Sequence, residues 1–409
     1  MATIYRNIGE LLTLQGAAEK KGRKTREADL GILPKAAMVV HRGVIVWLGP
    51  EKKLKTFKTK EFKSAKEIDM NGMTVLPGFV ECHTHSLFAG SRAHEFELRQ
   101  QGATYQEISK AGGGVLSTVQ ATRKASEVRL RKDLEQRIER FSAQGVTTVE
   151  VKSGYALNKT GEIKSLKVIR SLDQKPIQVV PTFLGAHSIP TEFSSAREYL
   201  ASIESYLPEV KKWTDRLDIW IEKGFFETSF SRAYLQKAKE LGFQIVIHAD
   251  QLTLSGGTAL ATQVAAVSAD HVIQISDIEI DQVAKSDMTA VLLPMADLYM
   301  KCAYPPARKL IDAGARVALA TDFNPGTCPS QDLSLVGLLA RLEMKMSLPE
   351  VIAAYTVGAA SALKLEAQVG SLELGKDANF FGTAKDWNQL FYSAGDSSVD
   401  KIVFKGRNI

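Results

Sequence analysis

Cysteine is scarce in this chain of 409 residues. Cys82, Cys302 and Cys328 are odd in number and show no paired spacing, which excludes a disulfide scaffold and points to a reducing, cytoplasmic setting. Long apolar runs are absent too: none reaches the ~18 residues of a membrane-spanning helix, so no membrane partner is expected. The stretch Met1 to Glu10 lacks the basic segment, apolar core and small-residue site of an export signal. The formal charge of +6 is not gathered into a patch. Lys and Arg are interspersed with Glu, as between Arg129 and Arg140, and do not cluster with aromatics, which argues against a nucleic-acid partner. No low-complexity segment and no short-period repeat interrupts the chain.

What is present is ordinary globular material, 44% hydrophobic and 24% charged, enough for one large unit and a smaller one. Lys35 to Gly49 reads as two short strands around a turn at His41-Arg42-Gly43, and Glu67 to Met73 continues in extended style. The charged run Glu19 to Glu27 reads as a solvated loop. The far end of the chain resumes the β pattern at Gly370 to Asp377, Asn379 to Gly382 and Lys401 to Gly406, so both ends can build one small β unit. Between them, apolar strand-like runs alternate with longer amphipathic stretches, the signature of βα units on a parallel sheet. Eight such runs are found: Val75 to Cys82, Val146 to Val151, Ile177 to Leu184, Leu217 to Ile221, Gln244 to Ile247, Ala266 to Ala269, Ala290 to Leu293 and Arg316 to Ala320. Eight is the number of a (β/α)8 TIM barrel, whose chemistry sits at the C-terminal ends of its strands.

Those ends are where the histidines fall. Of seven in the chain, His83, His85, His187, His248 and His271 lie there, and only His41 and His94 lie elsewhere. Residues two apart on a strand share a face, so His83 and His85 can present two imidazoles to one ion while Cys82 and Thr84 point away. His248 and Asp322 end two further strands and add an imidazole and a carboxylate. Such a donor set suits Zn²⁺, with Fe²⁺ and Mn²⁺ next by softness, and can leave room for a water whose pKa drops from 15.7 to about 7. Water activated in this way attacks an sp² carbon, so hydrolysis of an amide, lactam or amidine is the natural reaction class. Asp322 is the expected catalytic proton carrier, and His271 is placed to polarise a carbonyl or help move protons. Lys152 reads as a supporting residue, since nothing indicates a second ion. Gly112-Gly113-Gly114 lacks the strand before and the Lys-Ser/Thr after that a phosphate cradle needs, and reads as a mobile loop at the site.

The run Leu76-Pro77-Gly78-Phe79-Val80-Glu81-Cys82-His83-Thr84-His85, with His248, His271 and Asp322 at strand ends, resembles the amidohydrolase superfamily. Within it the chain is most similar to the imidazolonepropionase family. The motifs that carry this are Gly90-Ser91-Arg92 with Glu95-Phe96, Gly112-Gly113-Gly114 with Ser117-Thr118, Glu150 to Tyr155, Thr182 to His187, Ser268 to His271 and Thr321 to Thr327. The resemblance implies a metal-dependent hydrolase barrel over residues 77–365, flanked by a composite β-sandwich from residues 1–76 and 366–409. It implies hydrolytic opening of the lactam of 4-imidazolone-5-propanoate to N-formimidoyl-L-glutamate in histidine degradation. One metal ion, Zn²⁺ or Fe²⁺/Fe³⁺, would be held by His83, His85, His248 and Asp322. Substrate-binding positions would be Arg92, Tyr105, Tyr155, His187, Asn324, Gly326 and Thr327. Gln251 stands where some members carry Glu and is kept as a binding residue, and Met295 stands where a small residue is expected. The residues agree with part of this: a guanidinium fork suits a propanoate tail, and Asn324 and Tyr155 supply neutral donors and acceptors for a ring. A second copy of the chain in a homodimer stays open as a partner. So do two alternative functions, a deaminase-like hydrolase of another cyclic amide or amidine, and a non-catalytic barrel relative.

Overall fold

The computed structural model describes residues 2–57, 62, 64–102, 107, 113–395 and 399–409. Sixteen strands occur among them, in two sheets of eight. Strands β1 to β5 are Ala2–Leu12, Ile32–His41, Val44–Pro50, Lys66–Asp69 and Thr74–Pro77. Strands β6 to β13 are Phe79–Glu81, Val146–Lys152, Gln178–Ala186, Arg216–Ile221, Gln244–Ala249, Ser268–His271, Thr289–Leu292 and Arg316–Leu319. Strands β14 to β16 are Phe380–Thr383, Lys401–Phe404 and Arg407–Asn408.

The sheet β6 to β13 is parallel, runs in chain order and carries helices between its strands: it is a (β/α)8 barrel. Its helices start where the sequence supplies caps. Ser126, Asn158 and Ser195 each accept from a backbone N–H three residues on, and Ser276 with Glu279 forms a capping box. The barrel closes where its first and last strands run out. Thr84 bridges Phe323, His85 N donates to Phe323 O at 2.9 Å, and Asp322 N donates to His83 O at 3.1 Å.

The run Val75 to Cys82 is not one strand. It breaks at Gly78, where a Cβ would lie only 2.2 Å from Thr147 Oγ1, and so supplies β5 to one sheet and β6 to the other. The second sheet joins both ends of the chain: β5 pairs parallel with β1 and antiparallel with β14. Its alternation places neighbours in different cores. Val75 and Phe380 pack with Tyr5, Ile8, Leu11 and Met38 inside the chain-end unit, whereas Leu76 and Phe381 face the barrel core, with Phe381 4.7 Å from Phe79. The segment 370–377 forms no strand; it joins the unit through an isolated bridge, Asp377 to Val44, and backbone hydrogen bonds to Ile45 and Thr13. The charged run 19–27 is largely exposed, as expected, but it is anchored at Arg23. Arg23 donates to Ala284 O, Ser286 O and Gly314 O at 2.8, 2.6 and 2.5 Å and pins the segment to the barrel.

Candidate active site

After β6 the backbone leaves the ladder, and its N–H groups find carboxyl partners instead. His83 N donates to Glu81 Oε1 at 3.1 Å, and Thr84 N to Glu150 Oε2 at 3.1 Å. Glu81 Oε2 also accepts from Thr321 N at 3.0 Å, so one side chain spans the seam between the strand that presents His83 and the one that presents Asp322. Burial pushes the Glu81 carboxyl up to about 8, against the opposing pull of those two backbone bonds. His271 and Asp322 both have left-handed backbones, φ 78° and 55°, a conformation that stores strain and gathers at functional sites.

Four buried side chains converge at this seam. His85 Nε2 lies 3.3 Å from both His248 Nε2 and Asp322 Oδ1, and His83 Nε2 lies 3.5 Å from the same carboxylate oxygen. His83 Nδ1 donates to Asp270 Oδ2 at 2.6 Å and His248 Nδ1 to Asp218 Oδ1 at 3.1 Å, which fixes the proton on Nδ1 and leaves each Nε2 as a lone pair aimed at the cluster. His83 Nε2 and Asp322 Oδ1 have no hydrogen-bond partner although fully buried. Lone pairs brought this close repel unless something positive lies among them, so the donor set fits a divalent cation. His83, His85 and Asp322 form one such group and His83, His248 and His271 another.

The electrostatics agree. Burial opposes the charge on Asp322, but the His83 and His85 imidazoles beside its carboxylate hold it well below the usual carboxylate range. Burial and Lys152 lower His83, yet Asp270 and Asp322 prevail and push it up to about 9, so Nε2 keeps its lone pair only where a cation takes the place of a second proton there. His85 is lowered to about 4, chiefly by burial. Burial also holds His271 and His187 well below their ordinary value, so both are neutral imidazoles at neutral pH.

Beneath the cluster lies Lys152, itself fully buried. Its ammonium donates to Glu150 Oε1 at 2.9 Å, forms an ion pair with Asp218 Oδ2 at 2.9 Å and sits 3.9 Å from Asp270 Oδ2. Above it opens a cavity of about 790 Å³, lined by His85, Arg92, Tyr155, His187, His248, Gln251, His271, Asp322, Asn324 and Thr327 among others. Arg92 Nε donates to Glu95 Oε2 at 2.7 Å, and its guanidinium lies against Gly326, where a Cβ would overlap it. Glu95 in turn accepts from Gly114 N and Ser117 Oγ, tying the glycine segment to the arginine. His187 Nδ1 donates to Gly154 O at 3.0 Å and its ring stacks on His85, so its Nε2 is an acceptor. Asn324 is engaged by its own loop: its Oδ1 accepts from Gly326 N, Thr327 N and Cys328 N, which shapes the turn after Asp322. Gln251 lies near Met300, and Met295 is packed in the barrel core, not in the cavity wall. Tyr105 and Gly112 fall outside the described residues.

The sequence reading misses Arg99, Trp220, Lys223 and Phe225, which line the same cavity, and the orienting roles of Asp218, Asp270 and Glu150. A signal for two of them exists in Asp218-Ile219-Trp220. The alternation of β9 puts Asp218 and Trp220 on one face, and Trp220 pairs in register with His248.

Residues 74–409 match the model of the amidohydrolase family. An imidazolonepropionase of Bdellovibrio bacteriovorus is 56% identical over 414 aligned positions, covering 100% of this chain and 97% of the relative. One from Symbiobacterium thermophilum is 41% identical, over 98% of this chain and 95% of the relative. Among solved structures, an adenosine deaminase of Xanthomonas campestris with bound zinc superposes with a TM-score of 0.73 at 18% identity, covering 99% of this chain and 92% of that one. The guanine deaminase of E. coli does so with 0.73 at 13%, covering 100% and 99%. At such identity these two speak for the fold alone.

Proposed function

The chain belongs to the amidohydrolase family and, within it, to the imidazolonepropionases; from that premise we propose that it hydrolyses the ring amide of 4-imidazolone-5-propanoate to N-formimidoyl-L-glutamate. The observation that carries this reading is the joining, in one cavity, of a cation-binding cluster with a buried guanidinium, that of Arg92. His83, His85, His248 and Asp322 would hold the cation, Zn²⁺ or iron. When bound, it supplies the Lewis acidity that makes water a nucleophile near neutral pH.

The chain's own residues do the rest. Asp322, kept ionised, takes a proton from the attacking water at its carboxylate and returns it to the ring nitrogen as the C–N bond breaks. His271, neutral and buried beside the cluster, donates toward the carbonyl oxygen as charge builds there. The Arg92 guanidinium, steadied by Glu95, receives the propanoate carboxylate. Tyr155 and Gln251, which line the cavity wall, contact the ring, the acceptor Nε2 of His187 takes a ring N–H, and Tyr105, outside the described residues, keeps its binding role from the family resemblance alone. Asn324 acts by holding the Gly326-Thr327 turn against Arg92. The setting is the cytoplasm, consistent with three free cysteines; among the described residues no helix is long and apolar enough to cross a membrane.

The test is metal analysis of the purified chain together with loss of imidazolone absorbance across a panel of cyclic amides and aminated purines. Turnover confined to the imidazolone bearing a propanoate, with about one cation per chain, is the expected result. Preference for an aminated ring would replace this reading with a deaminase.

A further inference from the structure

The floor of the site holds one ammonium among three carboxyl groups, all fully buried inside the barrel. As a stabilising device this is a poor arrangement, because buried charges lose more solvation than a single partner restores, and apolar packing of the same volume commonly does as well or better. Its geometry is more informative than its energy. Two of the three carboxylates face both ways: Asp218 touches Lys152 Nζ at 2.9 Å and His248 Nδ1 at 3.0 Å, while Asp270 lies 3.9 Å from the same Nζ and 2.6 Å from His83 Nδ1. Glu150 completes the pattern by holding Lys152 with one oxygen and the backbone N–H of Thr84, between His83 and His85, with the other. A single side chain therefore reaches two of the four cluster residues, His83 and His248, through one carboxylate each, and the backbone between His83 and His85 through a third.

We propose that Lys152 is a positioning residue for the cation-binding imidazoles, acting through Asp218, Asp270 and Glu150. The ammonium keeps the two aspartates turned so that each accepts an Nδ1 proton, and both Nε2 lone pairs then face a common point. Its charge alone would repel a cation, so electrostatics and positioning predict opposite signs on removal: loss of the charge alone would tighten cation binding, and loss of the alignment weakens it.

The inference rests on the reading that His83, His85, His248 and Asp322 take the cation, and the experiment keeps the two apart. The full chain and Lys152→Met are loaded with Co²⁺; the visible spectrum reads coordination, and the rate of loss to a chelator reads retention. Failure of the unsubstituted chain to take up Co²⁺ overturns the cation site itself. Given uptake, Lys152→Met should alter the spectrum and lose Co²⁺ faster, with affinity reduced by about ten- to a hundredfold. An unchanged spectrum, or unchanged or slower loss, would overturn the positioning role. The double variant Lys152→Met with Asp218→Asn should lose less than the sum of the two single effects, because both substitutions cut one path; full additivity would show that Lys152 acts independently. Should Lys152→Met fail to fold, Asp218→Asn and Asp270→Asn test the same path singly, each expected to shift the Co²⁺ spectrum, and unshifted spectra would overturn the inference.

Discussion

Inside the chain-end sheet the packed side chains are Tyr5, Ile8, Leu11, Met38, Val40, Val75, Phe380 and Val403. Inside the barrel, level with His83, they are Glu81, Glu150, Lys152, Asp218 and Asp270. Both interiors are buried, yet one is held by shape and the other by directed hydrogen bonds and ion pairs. Apolar burial is insensitive to direction, whereas each buried carboxyl group is worth its cost only if its partner sits at the right angle. Two tasks thus separate: the apolar cores of sheet and barrel contribute stability, and the polar floor of the barrel spends some of it on aiming imidazoles.

Substitutions on the two sides should separate accordingly. The largest loss of turnover is expected from His83→Ala or His248→Ala, which remove donors from the cluster: cation content by metal analysis and activity should fall together to background, while the chain still folds and its thermal midpoint falls no further than that of the cation-stripped parent. A collapse of the fold would mean that the polar floor also carries the stability. Next comes Asp322→Asn, assayed after cation loading. The amide keeps an oxygen for coordination but carries no proton, so kcat should drop by about 10²- to 10⁴-fold. A near-normal kcat would move proton transfer to His271.

Arg92→Ala should lower kcat/KM about ten- to a hundredfold, corresponding to roughly 1.5–3 kcal/mol for charge-assisted hydrogen bonds. Arg92→Lys should recover only part, since an ammonium lacks the planar fork. A substrate without the carboxylate should lose little further on either change; equal losses on both substrates would make Arg92 a structural residue. The smallest effect on turnover is expected from Phe380→Ala in the chain-end sheet. It should cost about 3–5 kcal/mol of stability in chemical denaturation while leaving kcat of the folded protein unchanged. A reduced kcat would show that the two interiors are coupled through Phe381 and Phe79.

Strand ends and their histidines were legible because they depend on local pattern: an apolar run, then a donor, repeated around the chain. The break at Gly78 was not, because the reason lies in Thr147, far along the sequence. Nor was the anchoring of Arg23, whose charge looked solvated until three carbonyls of the barrel came within reach. Asp218, Asp270 and Lys152 each sit in or at the end of an apolar run where a single charge reads as an exception; only the closed barrel makes them neighbours. Asn324 shows the converse, with its residue type pointing to a ring while its hydrogen bonds go to its own turn.

The seam at Thr84 and Phe323 gives the site a history as well as a geometry. During synthesis the His83-Thr84-His85 segment emerges early and must wait for almost the whole barrel before Asp322 arrives beside it. Closing so long a loop is entropically costly, and a cation grasped from both sides would act as a clasp on the finished ring. Stripping it should then speed opening at this one joint, so that amide exchange at His85 and Asp322 rises before exchange at strands on the far side of the barrel.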